Sequence, residues 1–397
     1  MPGPLSGIIV LDFTWHLAGP FGVMQLADLG AEVWKIEQVA ANEDNRGGGP
    51  IVHGINTYFF SVNRGKQSLA LDLRSDEGKA IVYGLAKQAD VVTENFKPGV
   101  MERLGFGYER LAQDNPRLIY ASTSGFGQTG PYRERGAVDV IVQGMGGVIS
   151  ITGHPDGPPA RPGYSIGDMA GGLYTAIGVL SALVERDRSG VGQRIDVAML
   201  DAQVALLENA IIRYCATGEV PGPIGTRHPL TTPFQAFATT DGHFVIAGVK
   251  DWALFCAMIG HDELILDERF KTNRLRTQNH AALEPILIEV FKTQPTAHWL
   301  ELLAPICLVG PVNTIDQVVA DPQVQARAMV VELPTWNGAS LKVSGSPVKL
   351  SRTPGGPVTG ADAPGGHTAA ILRERLGYSA ARLAELAAKG VIAGVEG

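Results

Sequence analysis

A chain of 397 residues exceeds what one compact domain ordinarily needs, which points to two domains or one elaborated α/β domain and excludes a single small module. Hydrophobic residues at 45% and charged residues at 18% supply a core and exclude global disorder, and a net charge of -7 without runs of like charge argues against a broad face for nucleic acid or anionic lipid. Cys215, Cys256 and Cys307 are too far apart for a disulfide framework or a CxxC metal site, so a cytoplasmic protein is expected, with neither signal peptide nor membrane span.

GIIVLD (7–12) is a β-branched apolar run, and GPFGVMQLADL (19–29) has helical character, with Pro20 in its first turn and Gly30 as its stop. AEVWKIE (31–37) is the next strand, so the chain opens β-α-β. The unit repeats: a strand at 68–73, a helix at 75–88 capped by Ser75 with Asp76 and Glu77 in its first turn, and a strand at 90–95. A helix near 108–114 and a strand at 117–123 follow, giving a doubly wound, Rossmann-like α/β large domain. Residues 153–163 are too rich in Pro and Gly for regular structure; a long apolar helix follows, then a strand at 192–200 and a helix to about 213. Residues 217–233 predict a linker. A smaller α+β domain at 234–333 opens on a hairpin turning at Asp241-Gly242, and 334–397 returns to complete the large domain, with a last helix between Ser379 and Gly390.

GFGQTG (125–130) matches G-x-G-x-x-G, but Pro131 follows where a helix should begin and the motif is not at the first strand, so a dinucleotide site is not expected. The histidines show no HxxxH or HxH pair, and no GxSxG elbow is present, so neither a metal centre nor a serine hydrolase has an anchor. The informative residue is Asp168 in YSIGDMAGG, a carboxylate at the start of an apolar helix with Gly167, Ala170, Gly171 and Gly172 leaving space around it. A plain N-cap and a carboxylate nucleophile both fit that context. Arg227 and His228 in GTRHPLTTPF are the other candidates: an Arg fork in a segment joining two domains suits a distal carboxylate, and a solvated loop Arg beside His-Pro suits the same letters.

The blocks PLSGIIVLDFTWHLAGPFGVMQLADLGAEVWKIE, NRGKQSLALDL, ENFKPGVMERLGFGYERL, NPRLIYASTSGFGQTGPY, SIGDMAGGLYTAIGVLSAL and GQRIDVAMLDA resemble, in order and along the whole chain, the class III coenzyme A transferases, the family that includes formyl-CoA transferase. The resemblance implies that Asp168 attacks an acyl-CoA carbonyl to give a mixed aspartyl anhydride, that an enzyme-CoA thioester follows, and that a small organic, plausibly dicarboxylic, acid accepts CoA. Coenzyme A is then a substrate, with no tightly bound cofactor and no metal. CoA contacts carry over onto Ala18, Leu71 through Arg74, Asn95, Phe96, Lys97, Arg103 and Asp139, with His16 in the turn after the first strand as a substrate contact. An interlocked homodimer is also implied. Trp15 and Leu17 stand where formyl-CoA transferase has His and Gln, and Gln38 where it has Arg, which argues against formate and oxalate. The alternative, an α-methylacyl-CoA racemase, needs a proton-shuttling His where GAVDV has Val138.

Overall fold

The computed structural model describes residues 3–394. Six strands, β1 (Ile9–Asp12), β2 (Glu32–Glu37), β3 (Lys66–Ala70), β4 (Val91–Glu94), β5 (Ile119–Ser124) and β6 (Arg194–Ala198), form one sheet in the order β3-β2-β1-β4-β5-β6. Every neighbouring pair is parallel. All carboxyl ends therefore lie along one edge, and the order reverses between β1 and β4, where ligands of such sheets bind.

Alternation along the strands separates two cores. Leu11, Trp34, Leu69 and Val92 face one side, packed with Ile81 and Leu85 of α3 (Asp76–Ala86). Val10, Val33, Val91 and Ile119 face the other, against Val23 and Leu26 of α1 (Ala18–Asp28) and Val179 and Leu183 of α5 (Ile166–Ser189). Between α1 and α3 lies α2 (Thr57–Asn63), and α4 (Asp139–Met145) precedes α5. Ser75 caps α3 by accepting the Gly78 N–H at 3.0 Å. β3 starts before the expected position 68 because Lys66, although charged, is buried beside Asp12. GFGQTG leads into no helix: Gly127 donates to Ser124 Oγ and Gln128 to Asp196 of β6.

α5 has 24 residues and is long and apolar enough to cross a membrane by length and composition, yet half of its apolar stretch is buried against the protein itself. It crosses α1 at two glycines: a Cβ on Gly172 would lie 2.6 Å from the Ala18 carbonyl oxygen, and one on Gly22 2.6 Å from that of Gly172. Next come α6 (Met199–Leu206) and α7 (Glu208–Thr217).

The chain divides into two compact units, Met1–Val148 with Pro162–Ala216 and Gln323–Gly397, and Ile149–Arg161 with Thr217–Pro322. Residues 217–233, expected as a linker, thus lie in the second unit; so do 149–161, and the return begins at Gln323 instead of 334. In the second unit β7 (Phe234–Ala238), β8 (His243–Val249) and β9 (Cys307–Pro311) form an antiparallel sheet in the order β9-β8-β7. Phe237, Phe244, Phe291 and Trp299 pack there with α8 (His280–Phe291) and α9 (Thr296–Leu303). In the first unit the returning segment pairs β10 (Val330–Pro334) with β11 (Ser340–Ser344), then adds α10 (Thr368–Leu376) and α11 (Ala380–Ala388) to the core beneath β3. There His367 donates to the Ser68 carbonyl at 3.0 Å, Ala70 N–H donates to Thr368 Oγ1 at 3.0 Å, and Leu71 bridges Ile392.

Candidate active site

Asp168 is the third residue of α5, in its first turn, and half-buried. The Ser165 side chain at the N-cap makes no capping bond. The acceptor comes from α4 instead: Asp139 Oδ1 takes the N–H of Gly167 at 2.8 Å and of Asp168 at 3.4 Å, and its Oδ2 takes Gln143 Nε2 at 2.6 Å. Gly167 makes this approach possible, since a Cβ there would lie 2.9 Å from Asp139 Oδ1 and 2.8 Å from Val142. A carboxylate in a first helical turn is ordinarily favoured in its ionised form. Here burial, and then the Asp139 charge, push Asp168 up to about 7. The Gly167 and Asp168 N–H groups, which the glycine-rich sequence offers for a developing oxyanion, are directed at Asp139. Tyr58 of α2 stands within electrostatic reach: burial, and then the Asp168 charge, raise its phenol above the usual value.

The loop from β1 to α1 is held from several directions. Asn95, just beyond β4, accepts the Trp15 N–H and donates to the Trp15 carbonyl, both at 2.7 Å. Lys35 donates to the Thr14 carbonyl, and Lys66 donates to the Pro20 carbonyl at 3.1 Å and to Asp12 at 3.0 Å. Burial opposes charge on Asp12, but Lys35 and Lys66 prevail and its pKa falls to about 2. Burial brings Lys66 down to about 8 against the pull of Asp12. In the clamped loop His16 adopts φ 63, a left-handed conformation kept where surroundings over-determine it, and its side chain is exposed. It lines a cleft of about 580 Å³ with Trp15, Gln38, Asn45 and Arg46. Arg46 is not a free cation there: Glu37 binds it twice, at 3.0 and 2.7 Å, and Glu43 once, at 2.8 Å.

The residues carried over as CoA contacts fall beyond strand ends and at helix starts: Ala18 opens α1, Leu71 to Arg74 follow β3, Asn95 to Lys97 follow β4, and Asp139 opens α4. Arg74, Lys97 and Arg103 are exposed, Ala18 and Leu71 are buried, and Asn95 spends its amide on Trp15. A second cleft, of about 380 Å³, is lined by Lys97, Phe96, Arg133 and Arg135. Arg135 stacks on Tyr132 at 4.7 Å. Sequence reasoning missed Arg133 and Arg135, although PYRERG displays them, and missed Tyr58, which no local signal marks. Lys35 could have been suspected as a charge inside the apolar run AEVWKIE.

In the second unit His228 accepts the Leu230 N–H at Nδ1 and packs on Phe234 with ring centroids 4.9 Å apart, so it is committed to its own loop. Arg227 is half-buried, and its Nε has no hydrogen-bond partner. It lies in electrostatic reach of His280, whose pKa is lowered by burial first and by Arg227 second. Among the described residues no group of three His, Cys, Asp or Glu side chains could hold a metal ion.

Comparison with known proteins identifies the surroundings of this site. The model of CoA-transferase family III matches residues 5–368. An acetyl-CoA:oxalate CoA-transferase of Acetobacter aceti is 44% identical over 353 residues, 88% of this chain and 90% of its own. A mouse succinyl-CoA:glutarate CoA-transferase is 38% identical, covering 98% and 90%, and a succinyl-CoA--D-citramalate CoA-transferase of Chloroflexus aurantiacus is 37% identical, covering 98% of both. The crystal structure of a CAIB/BAIF family protein from Brucella suis superposes with TM-score 0.86 at 39% identity, covering 94% of this chain and 100% of that one.

Proposed function

The chain belongs to CoA-transferase family III, and from that premise we propose that it moves CoA from an acyl-CoA donor to a small dicarboxylic acid with Asp168 as nucleophile. The observation that carries the reading is a single half-open carboxylate, pushed up to about 7, at the start of a helix beside the carboxyl edge of a parallel sheet. An Asp168 oxygen adds to the thioester carbonyl, the carbon–sulfur bond breaks, and CoA leaves as thiolate from a mixed anhydride. The thiolate then attacks the Asp168 carbonyl, releasing the donor acid and leaving an enzyme-CoA thioester. The acceptor carboxylate attacks that thioester, and the freed thiolate takes the acceptor acyl group from the second anhydride, restoring Asp168. A carboxylate is a weak nucleophile toward thioesters, so positioning must supply much of the rate. Tyr58 lies within electrostatic reach of that carboxylate. Lys97, Arg133 and Arg135, with Arg74 and Arg103, suit the phosphates of CoA.

The dicarboxylate reading is supported by relatives named for oxalate, glutarate and citramalate, and the first of these returns oxalate to the acceptors despite Trp15 and Leu17. His16 is the candidate for a contact near the reacting carboxylate. A second copy of the chain is the candidate cover for Leu173, Tyr174, Ile177 and Val184, which leave one side of α5 bare. The free thiols support a reducing compartment.

The test incubates acetyl-CoA or succinyl-CoA with oxalate, glutarate or acetate and reads new CoA thioesters by mass. Hydroxylamine added during turnover should leave a hydroxamate on Asp168, and Asp168→Ala should abolish exchange. Near-normal turnover of the Ala variant removes Asp168 from the mechanism.

A further inference from the structure

We propose that Asp139 is a positioning residue that acts through Asp168, and that it is not a contact to CoA. The proposal rests on the reading of Asp168 as nucleophile. Three of its features are geometric. The carboxylate is 9% exposed, and both oxygens already accept protein donors: Gly167 and Asp168 N–H on Oδ1, Gln143 on Oδ2. It supplies the N-terminal acceptor that the Ser165 side chain does not provide, so it fixes the backbone from which the nucleophile projects. Gly167 removes the one side-chain carbon that would hold α4 away from α5.

Behind Asp139 the polar arrangement continues. Gln143 Oε1 and both amide atoms of the fully buried Gln203 on α6 have no hydrogen-bond partner. The retention of Gln143 in the interior is explained if it serves to orient the carboxylate, because an unsatisfied buried amide oxygen otherwise costs about 1–3 kcal/mol.

The second consequence is electrostatic. A negative charge hydrogen-bonded to the first turn of α5 cancels the partial positive charge that would otherwise make Asp168 a weaker base. Around α5 the Asp139 charge acts on Asp168, and the Asp168 charge on Tyr58. Asp28 of α1 is bound to Arg64, Asp196 of β6 accepts the Gln128 N–H, Arg194 of β6 donates to Gln128, and Asp201 of α6 is exposed. A more basic Asp168 is a better nucleophile, so Asp139 raises reactivity and not affinity.

The experiment compares Asp139→Asn, Asp139→Ala and Gly167→Ala in the full chain, measuring KM for acyl-CoA, kcat and the pH profile of kcat/KM, with calorimetric CoA binding as the control for folding. Asp139→Asn keeps an acceptor for the two N–H groups, and its new amide can donate to Gln143 Oε1. We expect KM and CoA binding within about twofold of wild type, kcat at pH 8 down by about three- to tenfold, and the acidic limb of the profile moved to lower pH. Asp139→Ala and Gly167→Ala should lower kcat further at unchanged CoA affinity. A KM raised tenfold with kcat preserved would make Asp139 a CoA contact, and an acidic limb that stays in place in the Asn variant would remove the electrostatic role. Either outcome overturns the proposal while a dead Asp168→Ala still upholds the nucleophile; a live Asp168→Ala overturns the reading beneath both.

Discussion

Asp12, Glu94 and Asp168 carry the same functional group in one unit and differ by the company they keep. Asp12 is fully buried yet held at about 2 because two ammonium groups face it, whereas burial that no nearby cation outweighs drives Glu94 up to about 7 and Asp168 to about 7. The sign for Asp168 follows from linkage. Its folded pKa lies above the unfolded value of 3.8, so folding is unpenalised while both states are protonated, and stability is lost as pH rises from near 4 through about 7. The full shift would correspond to about 4 kcal/mol, which solvent at a half-open site reduces to about 1–2 kcal/mol. Asp168→Asn should therefore melt a few degrees above wild type at pH 8, with the gap closing near pH 4. Parallel melting curves at both pH values would mean that the carboxylate is not strained by its surroundings. Activity should rise with pH through about 7 as the nucleophile ionises.

At the scale of elements, the site depends on how closely α1 and α5 approach. Gly22 and Gly172 allow backbone to meet backbone, and Asp168 lies one helical turn before that crossing. Gly172→Ala should force the helices apart, lowering stability by about 1–3 kcal/mol and kcat along with it, and an unchanged melting temperature would show that α1 can recoil freely. The elements themselves were largely legible in the sequence. Ser75 and Ser379 signalled their helices because capping is local, and each accepts the expected N–H. The Asp241-Gly242 turn announced the β7–β8 hairpin for the same reason. What stayed hidden was set by distant partners: Lys66 entering β3 through Asp12, Asp139 reaching α5 from α4, and Tyr58 arriving beside Asp168 from a helix more than a hundred positions earlier. Periodicity describes burial, not which charge meets which.

At the scale of the whole molecule, α5 is apolar on both of its sides. One faces the sheet, and the other shows Leu173 at 47%, Ile177 at 55% and Val184 at 56% exposure, an apolar stripe of the kind that marks an interaction surface. The protein should therefore sediment at twice its 42.1 kDa, and Ile177→Glu should shift it toward the single chain; a wild type that stays single at micromolar concentration would leave that face unexplained. The parallel sheet could be read from the repeated β-α-β pattern, but the unit boundaries could not, because 149–161 and 217–233 look like connectors in composition and belong to the second unit by contact. The return of the chain to β3 has a consequence for biosynthesis. Residues near Ser68 and Ala70 are made some three hundred positions before Thr368 and Ile392, which cover that edge. The second unit is complete in the nascent chain before the first can close. For that interval an unpaired strand edge waits in the open, and it is the stretch from Thr368 to Ile392 that decides whether the newborn molecule stays single or sticks to its neighbours.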